Sequence, residues 1–574
     1  EASWLDSVSG WFGSDDEGEA VELWKQGATF VDVNNDGWLD LYLCRFAAPN
    51  QLYMNDGRGG FREAENAAGL GLSSASGMAS FCDFDRDGWL DAYVQTNMLD
   101  SKASPEGSRD RLYRNKGDGT FIDVTEEAGI RGKTLGHSAT WWDYNEDGWP
   151  DLYVANDFAA PDQLYRNDSS GGKFAFTEVI DSVVPHQPFS SMGADLGDVN
   201  NDGRIDFLVA DMAPTTHEMD LRGMAVTRYT MRDQNPDPKA APQYMYNTLY
   251  LGTGVGRARE AAWLCGVART DWTWSTRFED LDNDGLLDLH VTNGMAREYQ
   301  NDDLRQRIFR AEHLGSRMRI MHASPQLAES NLAYRNLGDM RFERVEDSWG
   351  LDQVGISFGA GFGDFDGDGD LDLIVSNYEA APTVLRNDSQ EGARAVFALR
   401  GVESNRFGVG TTVSIETATG MQTRQLVLAR GYLSSSEPSL HFGLGANERI
   451  KRATVQWPSG RVQTFENLPA NRRFTVTESS GPVSRDAPAG SAPQPLFEEI
   501  SERVGLSAGF EEPQIPRSDG QPLAPFTFAR RGPTLAIGDF NGDGREDAIV
   551  GAFGGAPTRL LLGTESGGLG RADA

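Results

Sequence analysis

Seven times along this 574-residue chain the same nine-residue pattern recurs, D-x-[D/N]-x-D-G-x-x-D, and no other feature limits the fold so strongly. The copies, numbered loops 1 to 7 here, start at Asp32, Asp83, Asp143, Asp198, Asp280, Asp364 and Asp539. They end at Asp40, Asp91, Asp151, Asp206, Asp288, Asp372 and Asp547. Position 3 is Asn34, Asp85, Asn145, Asn200, Asp282, Asp366 or Asn541, and position 5 is Asp36, Asp87, Asp147, Asp202, Asp284, Asp368 or Asp543. Such a loop gathers side-chain oxygens from positions 1, 3, 5 and 9 around one hard cation. Position 7 adds a backbone carbonyl, from Trp38, Trp89, Trp149, Arg204, Leu286, Asp370 or Arg545. An all-oxygen shell in a flexible loop suits Ca²⁺, whereas Mg²⁺ keeps its waters and demands a strict octahedron. No cysteine or histidine lies in any copy, which argues against zinc or copper. The expected cofactor is Ca²⁺, up to seven ions.

The loops are not EF-hands. An EF-hand needs a bidentate Glu at position 12 and a helix on each side. Here position 12 is Leu43, Val94, Val154, Val209, Val291, Val375 and Val550. The flanks are β-branched or aromatic and alternate, as in Leu41-Tyr42-Leu43, which predicts strands. Each loop therefore joins the two strands of a hairpin.

Around each loop a longer unit repeats. Ala28, Ala79, Ala139, Ala194 and Ala360 each stand four residues before the first Asp. A third strand follows, as in Q-L-Y-M-N (51–55), R-L-Y-R-N (111–115), Q-L-Y-R-N (163–167) and L-A-Y-R-N (332–336). A Gly-containing turn leads to a fourth, F-R-E-A (61–64), F-I-D-V (121–124), F-T-E-V (176–179) and F-E-R-V (342–345). Four antiparallel strands repeating at this spacing are the signature of propeller blades. The chain resembles the FG-GAP/VCBS repeat family over about residues 20–395, which implies calcium loops between the first two strands of each blade.

Residues 396–478 carry no loop but hold S-N-R-F-G-V-G (404–410), R-G-Y-L-S-S (430–435), H-F-G-L-G (441–445) and W-P-S-G (457–460). These resemble the ASPIC/UnbV domain, a small β module found beside FG-GAP repeats in cartilage acidic protein and many bacterial exported proteins. Residues 479–495 read as a Pro/Gly/Ser linker. F-E-E-I-S-E-R-V-G-L (497–506) then restarts the blade-edge pattern before loop 7. The expected architecture is all-β. Residues 1–395 form a calcium-loop propeller of about seven four-stranded blades, followed by the ASPIC/UnbV module. Residues 496–574 are the first blade of a second, truncated propeller, or a returning blade of the first.

The formal charge of −34 excludes a net basic field for nucleic acid, and seven Ca²⁺ would offset fourteen of those charges. Cys44, Cys82 and Cys265 form no disulfide framework. No run is apolar and long enough to span a membrane, and no signal peptide is visible at the first residues. Weak calcium sites fill where the ion is abundant, so an extracellular, cell-surface or periplasmic setting is expected.

No catalytic constellation stands out. Ser357 in G-I-S-F-G fits a nucleophile-elbow pattern but occupies a repeated strand position with a small residue. His217 has no second histidine on its face, and His441 belongs to the ASPIC/UnbV signature. If successive strands alternate faces, the long insertions 96–110, 211–246 and 293–331 all leave the face opposite the loops. The last contains a helical pattern with five arginines over Asp303–Met321. Trp38, Trp89 and Trp149 either form a row for sugar rings or pack on the neighbouring blade's loop. The expectation is a non-enzymatic calcium-binding adhesion or interaction scaffold with a protein or glycan partner. The alternatives are a glycan-binding or polysaccharide-degrading protein, and an accessory subunit of an envelope complex.

Overall fold

The computed structural model describes residues 25–97, 109–131, 135–157, 160–223, 240–298, 301–311, 313–389, 392–480, 535–550, 559–565 and 569–571. The chain divides between Ala492 and Pro493 into two compact units.

Every loop bridges two antiparallel strands in one register. Position 9 pairs with the residue before position 1, as in Val31 with Asp40, Cys82 with Asp91, Trp142 with Asp151 and Gly363 with Asp372. Four residues before each loop, Ala79, Ala139, Ala194 and Ala360 pair with the valines at position 12. These alanines are almost fully buried, because a larger side chain there would push adjacent sheets apart. The position-12 valines are therefore sheet core.

The first unit contains six loop-bearing sheets. Their first strands are Lys25–Val31, Ser73–Cys82, Gly136–Trp142, Ala194–Gly197, Asp271–Glu279 and Ser357–Gly363. Each first strand packs against the next along the chain. The apolar cores lie between neighbouring sheets. Phe84, from loop 2, stacks near Trp141 of the third sheet and meets Phe176 edge-on. Four sheets have four strands in chain order, the fifth adds Met212–Ala213 beside Asp271–Glu279, and the first two are joined through Asp40–Pro49 and Ser73–Cys82. The sixth has three among the described residues, ending at Thr383–Leu385. The expected count of about seven thus differs from the six found here. Loop 7 lies in a four-stranded sheet of the second unit, running from Leu535–Gly538 to Leu569–Arg571. The linker and the blade-edge restart fall largely outside the described residues.

The ASPIC/UnbV segment forms a three-stranded sheet centred on Ala393–Arg400 and a four-stranded sheet centred on Thr412–Glu416 and Arg449–Gln456. Phe397, Phe442, Val413, Ile415, Val455 and Trp457 fill the space between them.

This module lies on the loop side of the repeat sheets. Its backbone Gly443 N donates to Asp280 Oδ2 at 3.1 Å, and Gly445 N donates to the Asn283 carbonyl at 2.7 Å. Arg406 N donates to Asn35 Oδ1 at 2.9 Å, Arg86 Nε to the Pro458 carbonyl at 3.1 Å, and Arg394 reaches Asp370 at 2.9 Å. Position 4 of a loop, where Asn35, Arg86 and Asn283 all have positive φ, is thus the docking point.

From this module the stretch 429–436 runs in among the first strands. Gly431 N donates to the Ala194 carbonyl at 2.8 Å, Tyr432 N to Ser275 Oγ at 3.1 Å and Ser435 Oγ to the Ala28 carbonyl at 3.4 Å. The Tyr432 ring lies against His137, Trp274 and Phe358. A Cβ at Gly77 would touch Leu433, and one at Gly359 would collide with Ser434 Oγ. This one stretch therefore meets the first strand of all six sheets.

The arginine-rich insertion forms two helices, Asp302–Arg310 and Leu314–His322, rather than one. Its arginines bond within the insertion: Arg319 donates to the Gly315 carbonyl of its own helix, and Arg317 to the Ala311 carbonyl at the end of the first. The three cysteines are buried and free.

Candidate metal centres

Each loop is first shaped by its own backbone. Position 6 has φ between +81° and +97° in all seven copies, a conformation that glycine adopts without the Cβ clash. In loop 2, Asp83 accepts from Asp87 N at 2.9 Å and Gly88 N at 3.0 Å. Position 9 accepts twice more: Asp91 Oδ2 from Phe84 N at 3.1 Å and Oδ1 from Asn115 N at 2.8 Å. The same pair of bonds recurs at Asp40, Asp151, Asp288 and Asp372, and at Asp547 with Gly563 N as the second donor. In Asp206 the second donor is Gly252 N. Carboxylate oxygens held this way keep lone pairs directed into the loop.

Positions 1, 3 and 9 converge. Ligand atoms of Asp83, Asp85 and Asp91 lie within 4.8 Å of one another, as do those of Asp280, Asp282 and Asp288 and of Asp364, Asp366 and Asp372. Where position 3 is Asn, its amide turns to position 5, as Asn34 does to Asp36 at 2.9 Å and Asn145 to Asp147 at 2.9 Å.

The carboxylates are strained in charge. Burial first, and adjoining carboxylates after it, push Asp83 up to about 7, and burial pushes Asp151 up to about 9. Asp280 rises to about 8 despite the opposing Arg424 charge, while Asp32, Asp143 and Asp198 rise to about 6. A bound divalent cation reverses this, since opposite charge at ligand distance favours the ionised form. The buried Asp280 Oδ1 has no hydrogen-bond partner. An all-oxygen donor set with an unpartnered buried oxygen fits a hard cation.

The third-strand Asn and Arg were visible in the sequence, but their task was not. Asn115 Nδ2 donates to its own loop at the Leu90 carbonyl (3.1 Å) and to the preceding loop at the Val33 carbonyl (2.8 Å). Asn167 and Asn336 make the same two-loop bridge, and Asn387 reaches the Leu281 carbonyl. The arginine before it holds positions 3 and 5. Arg114 contacts Asp85 and Asp87 at 2.5 Å, and Arg335 contacts Asp282 at 2.7 Å and Asp284 at 3.2 Å.

The position-7 side chains of Trp38, Trp89 and Arg204 cover the turn of their own sheet, and Arg204 also reaches Glu146 of the preceding loop. A Cβ at Gly57 would lie 2.7 Å from the Trp38 indole, and one at Gly117 would lie 3.0 Å from Trp89. Arg204 covers Gly254 in the same way. Trp149 differs: Arg86 lies over its ring at 5.3 Å. Ser357 Oγ donates to Asn377 Oδ1 at 3.0 Å and accepts from Asn331 at 3.1 Å, so it ties two strands.

Residues 401–483 match the ASPIC and UnbV family, and residues 32–94, 103–154 and 143–209 match the FG-GAP-like repeat family. The chain carries FG-GAP repeats and an ASPIC/UnbV domain. This chain is similar to cartilage acidic protein 1 of Mus musculus, 26% identical over 376 residues that cover 65% of this chain and 49% of that protein. The Homo sapiens protein is 26% identical over 378 residues (65% and 48%), and the Xenopus tropicalis protein 24% over 449 (76% and 51%). The chain spans about half the length of the curated relatives it matches. A fructofuranosidase structure from Schwanniomyces occidentalis aligns over 79% of this chain and 92% of its own, at 9% identity and TM-score 0.25. That score is too low to carry an argument.

Proposed function

We propose that the first unit is a six-bladed, calcium-stabilised propeller that acts outside the cytoplasm as a non-enzymatic adhesion or interaction scaffold. The observation that carries this reading is the convergence of positions 1, 3 and 9 in loops 2, 5 and 6, with Asp83 and Asp280 buried and their carboxyls raised. Ligands would come from positions 1, 3, 5 and 9, with the position-7 carbonyl. When bound, Ca²⁺ supplies charge compensation and holds each hairpin closed. The ASPIC/UnbV module covers part of the loop side, and its stretch 429–436 takes the axis, where it holds the blades in a ring.

With the loop side partly covered by the module, the opposite side is available to partners. If successive strands alternate faces, the insertions would leave on that side, including helices 302–310 and 314–322. No helix among the described residues is long and apolar enough to cross a membrane. The relatives' name points to cartilage, a matrix in which free Ca²⁺ is plentiful enough for weak sites. The reading is tested by elemental analysis after dialysis against Ca²⁺ with excess Mg²⁺. Several retained Ca²⁺ per chain are expected, and a calcium-free protein would contradict it.

A further inference from the structure

The ASPIC/UnbV module does not close over the whole loop side. A cavity of about 550 Å³ opens between its four-stranded sheet and loops 2, 3 and 4. That volume falls within the ~300–1,000 Å³ of small-molecule sites.

The two walls differ in chemistry. On the strand Thr412–Glu416, Val413 and Ile415 point into the module's core, so Thr412 and Ser414 face the other way, into the cleft. Thr412 pairs across the sheet with Gln425 and Gln456, and Ser414 with Thr423, and all of these line the cleft. This wall is a patch of hydroxyls and amides without a charge. The facing wall carries the half-buried Trp149 indole. Its two arginines are already engaged. Arg86 donates to the Pro458 carbonyl at 3.1 Å and lies on Trp149, and Arg204 pairs with Glu146 at 3.2 Å. Asp83, Asp143, Glu146 and Asp147 line this wall as well, so an anionic ligand would meet carboxylates and no unpaired arginine.

We infer that this cleft binds a neutral oligosaccharide. A pyranose ring offers an apolar C–H face for an indole and a rim of hydroxyls that need paired donors and acceptors, and the two walls supply one of each. The inference goes beyond the scaffold reading and does not need it, since the cleft is distinct from the insertion side.

The test uses the full chain in calcium buffer on an array of neutral oligosaccharides and sulfated glycosaminoglycan fragments, with hits measured by titration calorimetry. At least one neutral oligosaccharide is expected to bind. Trp149→Ala and Gln456→Ala should each weaken it tenfold or more, while Trp263→Ala, at an exposed indole outside the cleft, leaves it unchanged. Gln456 is exposed, so its variant folds even where a tryptophan variant does not. The inference is overturned if no neutral oligosaccharide binds, if only sulfated fragments bind, or if binding is indifferent to both Gln456→Ala and Gln425→Ala. Retained calcium in elemental analysis would show that such a failure leaves the metal reading intact.

Discussion

Arg430 grips Asp195 with two nitrogens, Nε at 2.6 Å from Oδ1 and Nη2 at 2.8 Å from Oδ2, and the carboxylate has no exposed surface. The arginine comes from the ASPIC/UnbV module and the aspartate from the first strand of the fourth sheet. Arg430 also reaches Glu279 at 2.7 Å, and the fully buried Arg277 lies 3.7 Å from Asp195. Module and repeats therefore share one buried charge network at the strands' inner ends.

Removing one partner from such a pair leaves the other charge buried without compensation, at about 3–5 kcal/mol. Arg430→Met is expected to lose stability on that scale in denaturant unfolding. Adding Asp195→Asn to the same chain should recover part of the loss. Equal stability of Arg430→Met and the parent would show that the network does not hold the two parts together.

This network was the least legible part of the sequence. The nine-residue pattern exposed the hairpins, because position 12 and the flanks alternate as strands do, and Val31–Asp40 to Gly363–Asp372 pair as expected. The spacing also showed the four-strand unit. It did not show that R-G-Y-L-S-S enters among six sheets, since contacts between residues as distant as Ser435 and Ala28 leave no local periodicity. The expectation of about seven blades in residues 1–395 exceeded the six loop-bearing sheets of the first unit. Loop 7, whose first Asp lies 175 residues beyond that of loop 6, folds in the second unit. The bridging task of Asn115 was hidden because its second acceptor, the Val33 carbonyl, belongs to the previous repeat.

That bridge is separately testable. Asn115→Ala leaves two buried carbonyls without their donor, and each costs about 1–3 kcal/mol. Asn55→Ala breaks one such bond, to the Leu39 carbonyl at 2.9 Å, in a less buried setting. Thermal unfolding should therefore place Asn115→Ala below Asn55→Ala.

The position-6 glycines allow a graded comparison. Gly203 has φ +89° with nothing near a would-be Cβ, so Gly203→Ala bears backbone strain alone, about 1–3 kcal/mol. Gly285 has φ +97°, and a Cβ there would lie 2.8 Å from Gln422 Nε2, which is bonded to the Gly443 carbonyl at 2.7 Å. Gly285→Ala should cost more stability and also loosen the ASPIC/UnbV contact, read as faster proteolysis at that junction. Equal losses would show that Gln422 yields freely.

Asp162 supplies a pH dependence away from the loops. Burial pushes its carboxyl up to about 7, although it accepts from Asn156 N, Ser191 Oγ and Tyr153 Oη. A folded-state value raised above the unfolded one contributes stability that is fully present below about pH 4 and is lost as pH rises through about 7. The stability difference between the parent and Asp162→Asn should therefore shift against the parent across that window, with a slope approaching about 1.4 kcal/mol per pH unit. A flat difference would contradict the raised value.

Calcium is the central claim, and thermal unfolding with and without it is the direct measurement. Carboxylates as crowded as Asp280, Asp282 and Asp288 repel without a cation, and each filled site adds about 2.7 kcal/mol at a hundredfold excess over its Kd. Chelation with EGTA should lower the melting temperature substantially, and Ca²⁺ should restore it more effectively than Mg²⁺. A melting temperature unchanged after verified removal of the metal would contradict a structural role for calcium.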